Sequence, residues 1–207
     1  MQIENTEQRW GVVQQTLHWV VVAVVAIQLY VGFKLWSLPP DDPQFGQLVA
    51  VHATSGITIF LLMAYRLYWR KTHPVPKLPD TLSPTQKQLA LATHWTLYML
   101  LLTMPVIGYM LISSFGKPVP FFQWELPPII GESEHMQYAL QRLHAASAVM
   151  LVLVLTLHIS AALRHAWALR DGVMERMAPF AYPHSGDDVP SESPRPPGKA
   201  PQQQPRP

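Results

Sequence analysis

The sequence predicts an all-α membrane protein, a bundle of four transmembrane helices, and three observations predict it. Of its 207 residues, 49% are hydrophobic and only 14% are charged, and the mean hydropathy is +0.10 despite a polar C-terminal stretch. A helix crosses the hydrocarbon core with about 20 mainly apolar residues, and four stretches qualify, roughly residues 17–36, 48–68, 91–112 and 143–163. Charge alternates between the connections. The segment between the second and third stretches holds Arg66, Arg70, Lys71, Lys77 and Lys87 against Asp80, whereas the other connections hold Asp41 and Asp42, then Glu125, Glu132 and Glu134. Short connections between four spans make one bundle.

Each element follows in order. The first apolar run starts at Val20 but continues past Ile27 to Phe33 with no clear cleavage site, so it reads as a span and not as a signal peptide. The basic segment after the second span belongs on the cytoplasmic side by the positive-inside rule, as do Arg164, Arg170 and Arg176 after the fourth, which places both termini in the cytoplasm. The connection from residue 113 to 141 contains Phe121, Phe122, Trp124, Pro127, Pro128, Ile129 and Ile130. It is expected to lie in the outer interface and lid the bundle. The membrane domain thus covers residues 1–177. Residues 178–207, rich in Pro and Gln, cannot bury enough apolar surface to offset ordering entropy and read as a disordered cytoplasmic tail.

The absence of cysteine excludes disulfides, thiolate haem ligation, cysteine-held iron–sulfur clusters and covalent haem attachment through C-x-x-C-H. The net charge of +2 mostly restates the loop asymmetry and gives no case for a nucleic-acid partner. Any metal chemistry falls to histidine.

An imidazole inside hydrocarbon is expensive unless it binds something. His144 and His158 stand fourteen residues apart on the fourth span, nearly four turns, so they leave one face about 21 Å apart. The predicted orientation puts His52 and His144 at an outer level, and His18, His94 and His158 at an inner one. Outside, the natural pair is His52 with His144. Inside, His158 can pair with His18 or with His94. Paired histidines from facing helices are the usual axial ligands of a low-spin b haem, a group that transfers electrons. Zinc needs three or four ligands at one point, and the outer level has only two. A non-redox reading, histidines relaying protons in a transporter, fits the helices but not the paired depths.

A weak internal repeat agrees with two cofactor levels. His18-Trp19 is followed fourteen residues later by Gly32, and His94-Trp95 fourteen later by Gly108. Gly32 and Gly108, with Gly56 four residues after His52, leave room for a macrocycle at the outer level. The competing explanation is close helix packing through small residues.

These stretches resemble the four-helix bacterial cytochrome b561 family, within the wider clan of hydrogenase cytochrome b subunits. The matching residues are Leu17-His18-Trp19, Val51-His52-Ala53-Thr54-Ser55-Gly56, the run from Tyr65 to Arg70, His94-Trp95-Thr96-Leu97-Tyr98, Arg142-Leu143-His144, and the run from Leu157-His158 through His165 to Met177. They span roughly residues 9–177, and their order and spacing carry the likeness. It implies a bacterial inner-membrane protein with two b haems stacked across the bilayer, ligated by His18 with His158 and by His52 with His144. His94 and His165 then stand near the inner haem as polar groups for a propionate, a quinone carbonyl or proton exchange. Interfacial solvation is the plainer role for His165. Arg142 is a candidate for an outer propionate or an anionic donor, whereas Arg66 and Arg70 read more simply as interface anchors. His73, His135 and His184 receive no role.

Members of the family similar to this chain oxidise superoxide at the outer face and reduce ubiquinone, which is the first functional expectation. One feature opposes it: the outer connections set Lys34, Lys117 and Arg142 against Asp41, Asp42, Glu125, Glu132 and Glu134, no cationic funnel for an anion. The second expectation is an electron-carrying subunit between the quinone pool and a partner oxidoreductase, with the apolar lid as docking surface. Membrane lipid surrounds the bundle in either case.

Overall fold

The computed structural model describes residues 3–7, 9–79 and 82–178. Four long helices dominate: α1 (Val12–Ser37), α2 (Phe45–Thr72), α3 (Pro84–Ser113) and α4 (Glu134–Leu163). α4 runs on into a π-type turn, Arg164–Leu169. All four are long and apolar enough to cross a membrane.

Each helix overruns its apolar stretch, and local chemistry sets the ends. α3 starts at a capping box in which Ser83 Oγ accepts from the Gln86 amide while the Gln86 side chain accepts from the Ser83 amide, with Pro84 in the first turn. α4 starts at Ser133, whose hydroxyl accepts from the Met136 amide at 3.4 Å, with Glu134 on the positive end of the helix dipole. The 113–141 connection is therefore shorter than the sequence suggests. Residues 134–141 are helical but polar, because these turns project beyond hydrocarbon. Gly11 precedes α1 where a Cβ would meet the Ile3 carbonyl oxygen at 2.4 Å, and its amide donates to Asn5 Oδ1 at 2.9 Å.

The lid exists and is a hairpin. β1 (Val119–Phe121) pairs antiparallel with β2 (Trp124–Leu126), Val119 opposite Leu126 and Phe121 opposite Trp124, around a turn in which Phe122 has φ 53°. Val119 is 1% exposed. The Phe122 amide donates to Thr54 Oγ1 on α2 at 3.2 Å, and Tyr109 Oη on α3 donates to the Pro127 carbonyl at 2.7 Å. The hairpin is thus fastened across the end of the bundle that carries Asp41, Asp42, Glu125 and Glu132, the acidic end.

The opposite, basic end is closed by the chain after α4. Gln15 Nε2 donates to the Arg176 carbonyl at 3.1 Å and Trp19 Nε1 to the Met177 carbonyl at 2.9 Å. Arg176 in turn donates to the Lys77 carbonyl at 2.8 Å, and Lys77 pairs with Glu7 at 2.8 Å. The Lys77 ammonium holds the exposed Glu7 carboxyl below its ordinary pKa. The Pro- and Gln-rich tail, residues 179–207, lies outside the described residues, as do His184 and Asp80.

Between the two ends lies an apolar layer to which every helix contributes: Val21 and Val25 from α1, Ile59 and Met63 from α2, Leu97, Tyr98 and Leu101 from α3, and Leu151 from α4. Such interdigitation is what joins helices where lipid is as apolar as the core. The packing is not uniform around the bundle. α1 lies on α2, α2 on α3 and α3 on α4, but α4 brings no Cα within 8 Å of α1 or α2. Directly packed helices have axes about 8–10 Å apart. α4 is held off two of its neighbours.

Candidate functional site

Histidines reach across that spacing at two levels. At the acidic end the rings of His52 on α2 and His144 on α4 have centres 6.1 Å apart at an interplanar angle of 70°. At the basic end His158 on α4 faces His18 on α1 at 6.4 Å and 76°, and also His94 on α3 at 5.5 Å and 69°. Metal–imidazole bonds of about 2.0–2.1 Å on opposite sides of one ion place two ring centres roughly 6 Å apart. The His52–His144 and His18–His158 separations have that value. α3 and α4 pack directly, whereas α1 and α4 do not, so only the α1 side leaves room for a planar group between the rings. Among the described residues no set of three His, Cys, Asp or Glu is arranged to hold one ion.

The donor chemistry fits the same use. His18, His52 and His144 each have a buried Nδ1 without a hydrogen-bond partner, and buried polar atoms left so are costly. An imidazole with an unpaired ring nitrogen inside hydrocarbon is a ligand short of a metal. Residues of this type and spacing suit a bis-histidine porphyrin iron.

The three glycines lie against these side chains. A Cβ on Gly32 would meet His52 Cε1 at 3.1 Å, and one on Gly108 would meet His144 Cε1 at 3.3 Å. Each helix pair repeats one device, a glycine on the first helix clearing the outer histidine of the second. Gly56 is buried, and a Cβ there would meet Gln28 Nε2 at 3.4 Å. Gln28 itself sits beside His52, with its Nε2 at 3.0 Å from His52 Nε2, and its Oε1 accepts from Ser55 Oγ. Sequence reasoning passed over this amide. A lone glutamine in the apolar run from Val20 to Phe33 is the signal that could have found it.

The basic end is richer than the sequence suggested. Arg66 Nε is buried without a partner, and its guanidinium is 6.0 Å from the Tyr98 ring centre. Its charge acts on His18, His94 and His158. Arg66 therefore belongs to the inner histidine group as well as to the interface. Arg70 lies 5.8 Å from the rings of Trp10, Trp95 and Tyr98, an aromatic cradle for its cation. Gln14, one turn before His18, is fully buried with neither amide atom partnered.

His165 and Arg142 are placed apart from the paired rings. His165 Nδ1 is 2.7 Å from Asp171 Oδ2, both side chains being mostly buried. Asp171 is the partner that the sequence did not reveal. Arg142 is exposed, donates to Tyr138 Oη at 2.6 Å and lies 5.4 Å over the Tyr138 ring. Two residues before His144, it lies about 200° round the helix, so its local partner is Tyr138 and not the His52–His144 pair.

Comparison with known proteins agrees with this architecture. The chain is 27% identical over 178 residues, 86% of its length and 95% of the relative's, to cytochrome b561 homolog 2 of Escherichia coli (strain K12). It is 28% identical over 172 residues, 83% and 97% of the two chains, to a protein of Yersinia pestis named probable superoxide oxidase CybB. Cytochrome b561 homolog 1 of Escherichia coli (strain K12) is 25% identical over 173 residues, 83% and 97% of the two chains. The prokaryotic cytochrome b561 family matches residues 9–180, from just before α1 to just beyond the π-type turn. With four membrane helices and histidines in pairs along them, the chain belongs to that family of multi-pass inner-membrane electron-transfer proteins, which implies b-type haem.

Proposed function

We propose that the chain holds two b haems, ligated by His18 with His158 and by His52 with His144, and carries electrons from superoxide on the periplasmic side to ubiquinone in the membrane. The observation that carries the proposal is the spacing of α4. Its backbone stays clear of α1 and α2, yet two of its histidines, fourteen residues apart, meet a ring from each at a metal-bridging distance. The name of the Yersinia pestis relative supports the choice of donor. By the positive-inside rule the basic end, with both termini, faces the cytoplasm.

When bound, b haem supplies a one-electron couple whose potential the axial ligands and their surroundings set. The residues of the chain do the rest. Val21, Val25, Ile59, Met63, Leu101 and Leu151 keep water out of the layer between the two histidine levels. Gln28 and Ser55 fix the His52 ring. Arg66 brings positive charge to the inner histidines, which favours retention of an added electron there. Two superoxide anions each give up one electron and leave as dioxygen, and one quinone takes the pair with two protons.

The test is turnover by the purified protein. With ubiquinone present, the chain should accelerate superoxide loss and form one quinol per two superoxide consumed. Superoxide loss unaffected by quinone would refute this donor–acceptor pair. The second reading is an electron-carrier subunit that needs a partner oxidoreductase. Phe122, Trp124 and Ile129 stand exposed around the acidic-end hairpin, an apolar docking surface. That reading predicts no superoxide turnover alone and haem reduction only when the partner is added.

A further inference from the structure

The His165–Asp171 pair takes no part in either histidine bridge, and its position gives it a use. Residues 144, 151, 158 and 165 recur every seven positions, so His165 continues the face of α4 that carries His144, the buried Leu151 and His158. It lies two turns, about 10 Å, beyond His158 toward the basic end. The π-type turn is closed by the Arg170 amide donating to the His165 carbonyl at 2.8 Å, and Arg170 adopts the left-handed conformation, φ 50°. That reversal brings Asp171 back onto His165. Strained backbone of this kind persists where the surroundings hold it and gathers at functional sites.

The pair is built on both sides. Asp171 Oδ2 meets His165 Nδ1 at 2.7 Å, while its other oxygen accepts from the Val173 amide at 3.3 Å. The side chains are 16% and 14% exposed. His165 Nε2 has no hydrogen bond among the described residues. With Nδ1 committed to a carboxylate, Nε2 is the nitrogen left to meet a ligand, and the carboxylate favours the protonated ring. A carboxylate at its back makes this histidine a poor anchor for an anionic haem propionate. It suits a neutral carbonyl that takes up a proton.

We propose that His165, oriented and charged by Asp171, is the proton donor to the quinone at the basic end of the bundle. The inference rests on the quinone reduction proposed above. The His165 Nε2–H bond breaks and an O–H bond forms on the carbonyl it faces, as the ring receives two electrons delivered singly through the protein. Water at the membrane surface protonates the second carbonyl and restores the proton to His165. Quinone, two electrons and two protons become quinol. His165 is the catalytic residue, and Asp171 is a positioning residue.

The experiment compares two acceptors on the haem-loaded full chain after reduction with dithionite and removal of excess reductant. One acceptor is a short-chain ubiquinone, which needs protons; the other is ferricyanide, which takes an electron alone. His165→Asn and Asp171→Asn should slow reoxidation by quinone at least tenfold through kcat, with ferricyanide rates and haem content unchanged, and Asp171→Glu should recover most of the rate. Equal quinone rates in wild type and variants would overturn the proposal. Equal slowing with both acceptors, or haem loss in both Asn variants and in Asp171→Glu, would overturn it too, by making the pair structural. Failure of the wild type to be reoxidised by quinone, with ferricyanide still effective, would refute the quinone reading itself.

Discussion

The rings of His18 and His158 face each other with centres 6.4 Å apart, although no Cα of α1 comes within 8 Å of α4. Side chains bridge a distance that the helices do not. His94 is nearer to His158, at 5.5 Å, but stands on α3, which packs directly against α4. The spacing of the helices, more than the distance between rings, therefore separates a ligand from a neighbour.

Ligand identity predicts haem content. His158→Ala should lose the inner haem and retain the outer one, and His52→Ala should do the converse, read by pyridine haemochrome assay per chain. Retention of both haems in either variant would refute the assignment.

The glycines make a steric prediction. Gly32→Val and Gly108→Val would push branched side chains into His52 and His144, which already stand 3.1 and 3.3 Å from a bare Cβ. Both should lower outer haem occupancy at least severalfold and spare the inner haem. Gly46→Ala, where a Cβ meets nothing within 4 Å, is the control and should change neither.

Gln28→Leu removes the amide beside His52 and strands Ser55 Oγ from one of its partners. Loss of an outer-shell partner costs about 10–100-fold in affinity at metal sites. Transfer of the outer haem to an apo-haemoprotein acceptor should quicken by a comparable factor, and transfer of the inner haem should not.

Tyr109→Phe should loosen the hairpin, because the phenol donates to the Pro127 carbonyl at 2.7 Å. A hydrogen bond of this kind contributes about 1 kcal/mol. Proteolysis between β2 and α4 should quicken, with haem content constant.

Arg142→Ala tests the superoxide reading separately from haem binding. The side chain is exposed and partnered with Tyr138, so both haems should remain. If its charge draws superoxide to the acidic end, the rate should fall and lose part of its salt dependence. An unchanged rate and salt profile would remove Arg142 from that role.

Much of this was legible in the sequence because hydrocarbon imposes few solutions. The four spans follow from apolar run length, and the two histidine levels from counting turns between His144 and His158. Helix ends were less legible. The first turns of α3 and α4 are polar, and their starts depend on the Ser83 and Ser133 caps, beyond the reach of hydropathy. Tertiary partners were least legible. Nothing local brings Gln28 to His52 from another helix, and Asp171 reaches His165 only because the π-type turn and the left-handed Arg170 reverse the chain. Gly32 and Gly108 were read from their spacing, but only packing reveals that each abuts the outer histidine of the next helix.

The central claim is most directly tested by haem quantification and a reduced-minus-oxidised spectrum of the purified chain, repeated for His18→Ala and His94→Ala. The account predicts two b haems per chain, one of them lost in His18→Ala and both kept in His94→Ala. Loss of the inner haem in His94→Ala with retention in His18→Ala, or a wild-type chain with fewer than two haems, would contradict it.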